Sequence, residues 1–258
     1  MGLADDLQKL GLHYTSEQLD DVLSVAAKRK WSATQLLEHI AEKEALSRSQ
    51  RSLELRLKSS HLGRYKAVCD FDWSWPTSID RTACETALRL DFLTEANNIL
   101  LVAPHGLGKT LLAKNLAHQA VLAGHSALFT TAAQMLLDLG SQDSTRALER
   151  RLRYYAHPRL LCIDEIGYLS FDSRNADLLY QVICRRYEVK SVVLTTNLAF
   201  SEWPTIFPSA TSATALIDRL IHHALILPIE GESYRRRDAE LAAKSRRAAS
   251  AGAKKTAG

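Results

Sequence analysis

The chain has 258 residues, 46% hydrophobic and 24% charged, with a formal net charge of +4. Those fractions exclude a wholly disordered chain, a collagen and a coiled-coil rod, and the length suits one sizeable α/β domain with a smaller appendage. No run reaches the roughly 18 apolar residues of a membrane-spanning helix. The opening Met1-Gly2-Leu3-Ala4-Asp5-Asp6 lacks the basic-then-apolar order of a secretory leader. Gly2 after Met1 suits myristoylation, but Asp6 stands where that signal carries Ser or Thr. A cytoplasmic protein with no membrane partner is expected. Cys69, Cys84, Cys162 and Cys184 form no C-x-x-C pair and have no paired histidine spacing beside them. They read as structural thiols in a reducing compartment.

Charge is unevenly placed. Residues 43–66 and residues 231–258 each carry a net +5, which leaves −6 for the remainder. Two basic segments around a more acidic middle suggest an anionic polymer as partner.

In chain order, residues 3–60 read as helical, with Leu3, Leu7 and Leu10, then Leu19, Val22, Leu23 and Ala26, at helical spacing. Ser16-Glu17-Gln18 resembles a helix start, and Ser32 with Gln35 has the form of a capping box. Three helices are expected, the third running from about Ser32 to Leu62. That helix grows basic through Lys43, Arg48, Arg51, Arg56 and Lys58. Residues 1–66 are thus an N-terminal helical domain. Residues 67–80 are an aromatic connector, read as an arm packed on the next domain in preference to a base-stacking platform of Trp73 and Trp75.

Residues 81–238 alternate helices with five candidate strands: Asn98–Val102, Ala127–Thr131, Leu160–Asp164, Val192–Thr196 and Ala224–Pro228. The first, third and fourth are apolar enough to be buried on both faces, as in a parallel sheet covered by helices. Gly124 is the expected C-cap of the helix between the first two strands. The tail at 239–258 is basic and rich in Ala and Ser, and reads as a frayed helix giving way to disorder.

The segment after the first strand is Ala103-Pro104-His105-Gly106-Leu107-Gly108-Lys109-Thr110-Leu111. Strand, Gly-rich loop and helix in that order form the context of a phosphate-binding loop. Gly106 and Gly108 let successive N–H groups face inward, where the positive end of the next helix adds to them. Lys109 is placed to reach the β- and γ-phosphates of a triphosphate, and the Thr110 hydroxyl to bind Mg²⁺. The consensus G-x-x-x-x-G-K-[ST] opens here on Ala103, which is compatible if its φ is negative. His105 reads equally as a phosphate contact or a solvent-facing bystander.

Leu160-Leu161-Cys162-Ile163-Asp164-Glu165 is an apolar strand ending in two carboxylates. Asp164 suits the organisation of Mg²⁺ and Glu165 the polarisation of an attacking water. The next strand ends in Thr195-Thr196-Asn197, whose amide can orient that water or sense the γ-phosphate.

This order resembles the AAA+ ATPases of the initiator and helicase-loader branch. More narrowly, six blocks resemble the IstB-like transposition helpers of bacterial insertion sequences. They are Asp164–Leu169, Arg185–Glu188, Thr195–Leu198, Phe200–Trp203, Asp218–Ala224 and Gly231–Arg235. The resemblance covers about residues 65–236. It implies an AAA+ core with a five-stranded parallel sheet, and an ATP- and Mg²⁺-dependent protein that forms homo-oligomers on double-stranded DNA and works with a cognate transposase.

Arg219 matches the arginine expected to reach a neighbouring subunit's nucleotide, with a plain surface arginine as the alternative reading. Arg235 matches a second sensing arginine or a DNA or surface role. With double-stranded DNA as the implied polymer, residues 1–66 become a DNA-binding or assembly domain whose Lys43, Arg48, Arg51, Arg56 and Lys58 would neutralise phosphates without reading bases. In related ATPases the region holding Arg146, Arg150, Arg151, Arg153 and Arg159 can face the central channel, and a solvated helix face is the alternative reading of both basic groups. His222 and His223, lacking a third ligand, read as a poor metal site. The alternatives left open are a replicative helicase loader of the DnaC/DnaI type and a nucleotide-gated DNA scaffold with little turnover.

Overall fold

The computed structural model describes residues 2–168 and 170–238. The tail expected to fray from Ala239 onward lies outside the described residues. The chain divides into two compact units after Arg56.

The first unit is helical: α1 (Leu3–Lys9), α2 (His13–Glu17), α3 (Leu19–Arg29) and α4 (Ala33–Ser59). Four helices replace the expected three because Gln18, at φ −114° and ψ 22°, leaves helical geometry and separates α2 from α3, while Gly11, at φ 79°, lies between α1 and α2. Ser16 falls inside α2 and does not start a helix; its hydroxyl donates to the Ala4 carbonyl at 2.9 Å. The Ser32–Gln35 capping box forms in full: Gln35 Oε1 accepts the Ser32 N–H at 2.8 Å, and Ser32 Oγ accepts the Gln35 N–H at 3.2 Å. Glu44 of α4 is buried, and its carboxylate accepts the Thr15 N–H at 2.7 Å, which ties α2 to α4.

The second unit is an α/β sheet domain. Its elements are β1 (Ser78–Ile79), α5 (Arg81–Ala87), β2 (Asn98–Val102), α6 (Lys109–Leu122), β3 (Ala127–Thr131), α7 (Ala132–Gly140) and α8 (Thr145–Ala156). They continue with β4 (Leu160–Ile166), α9 (Ser173–Arg186), β5 (Ser191–Thr196), α10 (Ala210–Ile221) and β6 (Ala224–Glu230). Local chemistry starts most of these helices. Asp80, Thr131, Ser144, Asp172 and Ser209 each accept a backbone N–H three residues on, capping α5, α7, α8, α9 and α10. Gly124, at φ 93°, follows the end of α6 as expected of a C-cap.

The sheet order is β1-β6-β2-β5-β4-β3. The five strands β2 to β6 are parallel, as expected. A sixth, β1, pairs antiparallel with β6 through Ser78 with Glu230 and Ile79 with Ile229. The aromatic connector therefore ends in a sheet edge, a role its aperiodic sequence conceals.

β2, β4 and β5 are buried along almost their whole length, whereas β6 leaves Leu225 and Ile226 exposed. One continuous core joins Leu100, Leu161, Ile163 and Leu194 of the sheet to Leu136, Leu179 and Leu216 of the flanking helices. Each such side chain contributes about 1.5–3 kcal/mol through removal from water. Among the described residues no helix is long and apolar enough to cross a membrane.

Candidate nucleotide-binding site

The C-terminal ends of β2, β4 and β5 lie side by side, so the three motifs meet at one edge of the parallel sheet. Such edges are where open α/β sheets bind ligands.

β2 runs into the Gly-rich loop. Ala103 is buried and its N–H donates to the Thr196 carbonyl at 3.1 Å, extending the strand pairing by one residue. Its φ is not positive, so glycine's conformational freedom is not required there. Gly106 and Gly108 are different, at φ 83° and 86°. A Cβ on Gly106 would lie 2.1 Å from Ser233 Oγ, and one on Gly108 would lie 2.4 Å from the Phe71 ring. The loop curls as a phosphate cradle must, and the start of α6 at Lys109 points its free N–H groups toward it.

Lys109 folds back on this loop, donating to the carbonyls of Ala103 at 2.5 Å and Pro104 at 2.8 Å. Burial pulls its ammonium down to about 8, against the opposing attraction of Asp164 and Glu165. Arg235 adds repulsion from the same neighbourhood. An anion seated in the cradle would relieve both.

Asp164 is buried at the end of β4. Its Oδ2 accepts the Thr110 hydroxyl at 2.9 Å and its Oδ1 accepts the Thr195 hydroxyl at 2.5 Å. A carboxylate and a hydroxyl in contact are a hard oxygen donor set of the kind Mg²⁺ takes. Next to it, Glu165 sits at φ 63°, and the β4–β5 register slips between Ile163 and Ile166. That bulge turns the Glu165 side chain to the solvent while Asp164 stays inside. The Glu165 N–H donates to Thr195 Oγ1 at 3.0 Å, so one hydroxyl serves both acids.

A cavity of about 330 Å³ opens over these groups, lined by Gly106, Lys109, Thr110, Glu165, Asn197 and Arg235 among others. Pro104 and His105 are exposed, His105 lying edge-on to Tyr168, and Leu107 is buried beneath the loop. Leu111 continues the first turn of α6. Arg219 does not join this cavity: on α10 it lies over the rings of Tyr180 at 4.9 Å and Tyr187 at 6.0 Å.

The connector also walls the cavity, through Phe71, Asp72 and Trp75. It packs as an arm: the Trp75 indole donates to the Glu232 carbonyl at 2.7 Å, and the Arg237 guanidinium lies 4.2 Å from the same ring. Sequence reasoning gave Thr195, Phe71 and Ser233 no part in the site. Thr195 and Ser233 stood in quoted motifs, whereas Phe71 carries no periodic signal; tertiary closure brings Ser233 and Phe71 to the loop.

Of the basic candidates, Arg48, Arg51 and Lys58 are exposed on α4, and Lys43 and Arg56 are half-buried. On α8, Arg146, Arg150 and Arg153 are exposed, Arg153 pairing with Glu149. Arg151 is committed to Asp138 and to the Tyr154 ring, while Arg159 donates to the Leu93 carbonyl.

Strand order, Gly-rich loop and acidic strand end together define a P-loop nucleotide-binding domain of the AAA+ kind. The fold agrees with solved structures: DnaI at TM-score 0.53 and 18% identity, over 65% of this chain and 92% of that one. Replication initiator DnaA bound to AMPPCP and single-stranded DNA matches at TM-score 0.51 and 15% identity, over 63% and 52%. The chain belongs to the IstB-like ATP binding protein family, whose family model matches residues 5–242. It is 36% identical to the protein named for ATP binding in insertion sequence IS5376 of Geobacillus stearothermophilus, over 90% of this chain and 93% of that one. It is also 36% identical to the counterpart in IS21 of Pseudomonas aeruginosa, over 89% and 86%.

Proposed function

We propose that the protein is an ATPase that multimerises on duplex DNA, remodels it, and recruits or stimulates a partner transposase, hydrolysis controlling assembly or release. The observation that carries the enzymatic part is the β4 bulge. It holds Asp164 against Thr110 and turns Glu165 outward beside the cradle, so two adjacent acids have separate tasks.

In this reading the loop N–H groups and α6 bind the phosphates of ATP, and Lys109 exchanges its loop carbonyls for the β- and γ-phosphate oxygens. Thr110 and Asp164 would hold Mg²⁺, which when bound neutralises phosphate charge. Glu165 accepts a proton from the water that attacks the γ-phosphorus as the bond to ADP breaks, and Asn197 orients that water. Arg235 reports on the γ-phosphate from the same cavity. Arg219, outside its own chain's cavity, reaches the nucleotide of a neighbouring copy, which makes turnover depend on assembly. A cation supplied in trans is worth roughly 10³–10⁵ in rate.

The exposed arginines of α4 and α8 support binding to DNA phosphates, and repetition across copies adds avidity. Relatives named for insertion sequences favour transposition over helicase loading, since the likeness to DnaI at 18% identity speaks for fold alone. Phosphate release measured with and without duplex DNA tests the proposal. Wild type should turn over faster on DNA, Lys109→Ala should lose nucleotide binding, and Glu165→Gln should retain ATP without hydrolysing it. Wild-type turnover in Glu165→Gln would remove the base from that residue.

A further inference from the structure

His222 and His223 follow α10, and the structure gives them the third partner that their sequence neighbourhood lacks. Glu188, just past the end of α9, places its Oε1 3.6 Å from His222 Nδ1 and 3.9 Å from His223 Nε2. All three ligand atoms lie within 4.8 Å of one another, and among the described residues this is the one such convergence of His, Cys, Asp or Glu. We propose that Glu188, His222 and His223 form a surface site for a divalent transition metal, Zn²⁺ first, with a fourth position open to water or another donor.

Distance supports the assignment. Ligands about 2.0–2.2 Å from a tetrahedral zinc stand about 3.3–3.6 Å apart. The two pairs with Glu188, at 3.6 and 3.9 Å, therefore need only a few tenths of an ångström of closure, and the two imidazoles, whose nitrogens lie within 4.8 Å of each other, close the larger remainder by rotation of exposed side chains. The donor set also fits: two imidazoles and one carboxylate suit Zn²⁺ better than Mg²⁺ or Ca²⁺, which take oxygen.

The backbone contributes to the convergence. Glu188 and His223 are not glycine, yet sit at φ 57° and 58°. At His223 this conformation brings two consecutive rings, which would diverge along a strand, to a centroid separation of 3.8 Å. All three residues are exposed, so an ion reaches them directly from solvent.

One local interaction competes. The Tyr187 hydroxyl lies 2.7 Å from His222 Nδ1, the nitrogen assigned to the metal. Coordination must displace that hydrogen bond, so removing the hydroxyl should leave metal binding intact or strengthen it. A structural hydrogen-bond cluster makes no such demand.

The test uses the full chain without a histidine tag, titrated calorimetrically with Zn²⁺ and followed with Co²⁺ by its visible absorption. One ion per chain should bind, with the absorption of a four-coordinate nitrogen and oxygen site. His223→Ala and Glu188→Gln should each weaken binding at least about tenfold, while Tyr187→Phe should bind as well as wild type or better. His105→Ala and His118→Ala, histidines away from the cluster, should leave it unchanged. Circular dichroism verifies that each variant is folded, and His223→Gln replaces any alanine variant that is not. Failure to bind at millimolar metal would overturn the proposal. So would binding that survives loss of both His222 and His223, or binding abolished by Tyr187→Phe.

Discussion

The Thr195 hydroxyl donates to Asp164 at 2.5 Å, and the same oxygen accepts the Glu165 N–H at 3.0 Å. A β5 residue thereby fixes both the buried acid and the left-handed backbone that turns the second acid outward. Thr195→Val keeps shape but removes the donor and the acceptor together. Loss of these buried bonds should lower stability by about 1–3 kcal/mol. Turnover should fall more than nucleotide affinity, because the cradle itself is untouched. Chemical denaturation, nucleotide titration and phosphate release separate the effects; equal loss of affinity and turnover would contradict this division.

Gly106 should be sensitive for two separable reasons. Alanine there meets Ser233 Oγ at 2.1 Å, and φ 83° disfavours any side chain. The backbone part costs roughly 1–2 kcal/mol. Gly106→Ala should lower both the melting temperature and nucleotide affinity. Adding Ser233→Gly should recover the steric part and leave the backbone part. Strictly additive losses in the double variant would show that Ser233 can move aside freely.

Much of the second unit is legible in the sequence because its signals are local. The continuous apolar runs of β2, β4 and β5 report burial on both faces, and Gly106-Leu107-Gly108-Lys109-Thr110 reports its own curl. Ser32 and Gln35 form the expected box because its two bonds span only three residues. Long-range pairings leave no such mark. β1 is two residues long, Phe71 meets Gly108 only on closure, and Glu188 meets His222 only after α9 and α10 are laid on the sheet. The break at Gln18 is equally hidden, because glutamine is a good helix former and its departure from helical geometry is not written in its own chemistry.

Arg186 is a liability with a clear physical origin. It is fully buried and, among the described residues, without a carboxylate partner, its guanidinium donating to the carbonyls of Tyr155, Ala156, Pro158, Arg159 and Ser191. Burial pulls it down to about 9, and five carbonyl dipoles hold the charge at neutral pH. Lysine has three donors without the planar fork. Arg186→Lys should therefore destabilise by about 2–4 kcal/mol through unsatisfied carbonyls, lowering the denaturation midpoint. A midpoint within error of wild type would mean that the lysine and water satisfy the same carbonyls.

Arg219 rests on Tyr180 and Tyr187 and not in its own cavity, so its loss should behave as a defect in trans. Arg219→Ala should bind nucleotide normally and lose DNA-stimulated hydrolysis. Mixing it with Glu165→Gln should restore part of the activity, because the second variant has an intact arginine and the first an intact base. Mixtures no more active than either variant alone would return Arg219 to a structural role on the tyrosines.

The α4 arginines can be tested by salt, which separates phosphate binding from indirect effects. Arg48 and Arg51 are exposed and, with Glu44, line the same small recess, so reversing their charge leaves the sheet domain intact. Removing one arginine from a DNA phosphate should reduce the slope of log affinity against log salt by about 0.9. Arg48→Glu with Arg51→Glu should therefore flatten that slope by about 2 if each arginine neutralises one phosphate, while nucleotide affinity stays at its wild-type value. Binding measured by fluorescence anisotropy across a salt series reads both the weakening and the slope. A weaker complex with the wild-type slope would mean that the helix supports assembly and does not touch DNA. Phosphate neutralisation would then fall to the exposed arginines of α8, where Arg146→Glu and Arg150→Glu should produce the flattening instead.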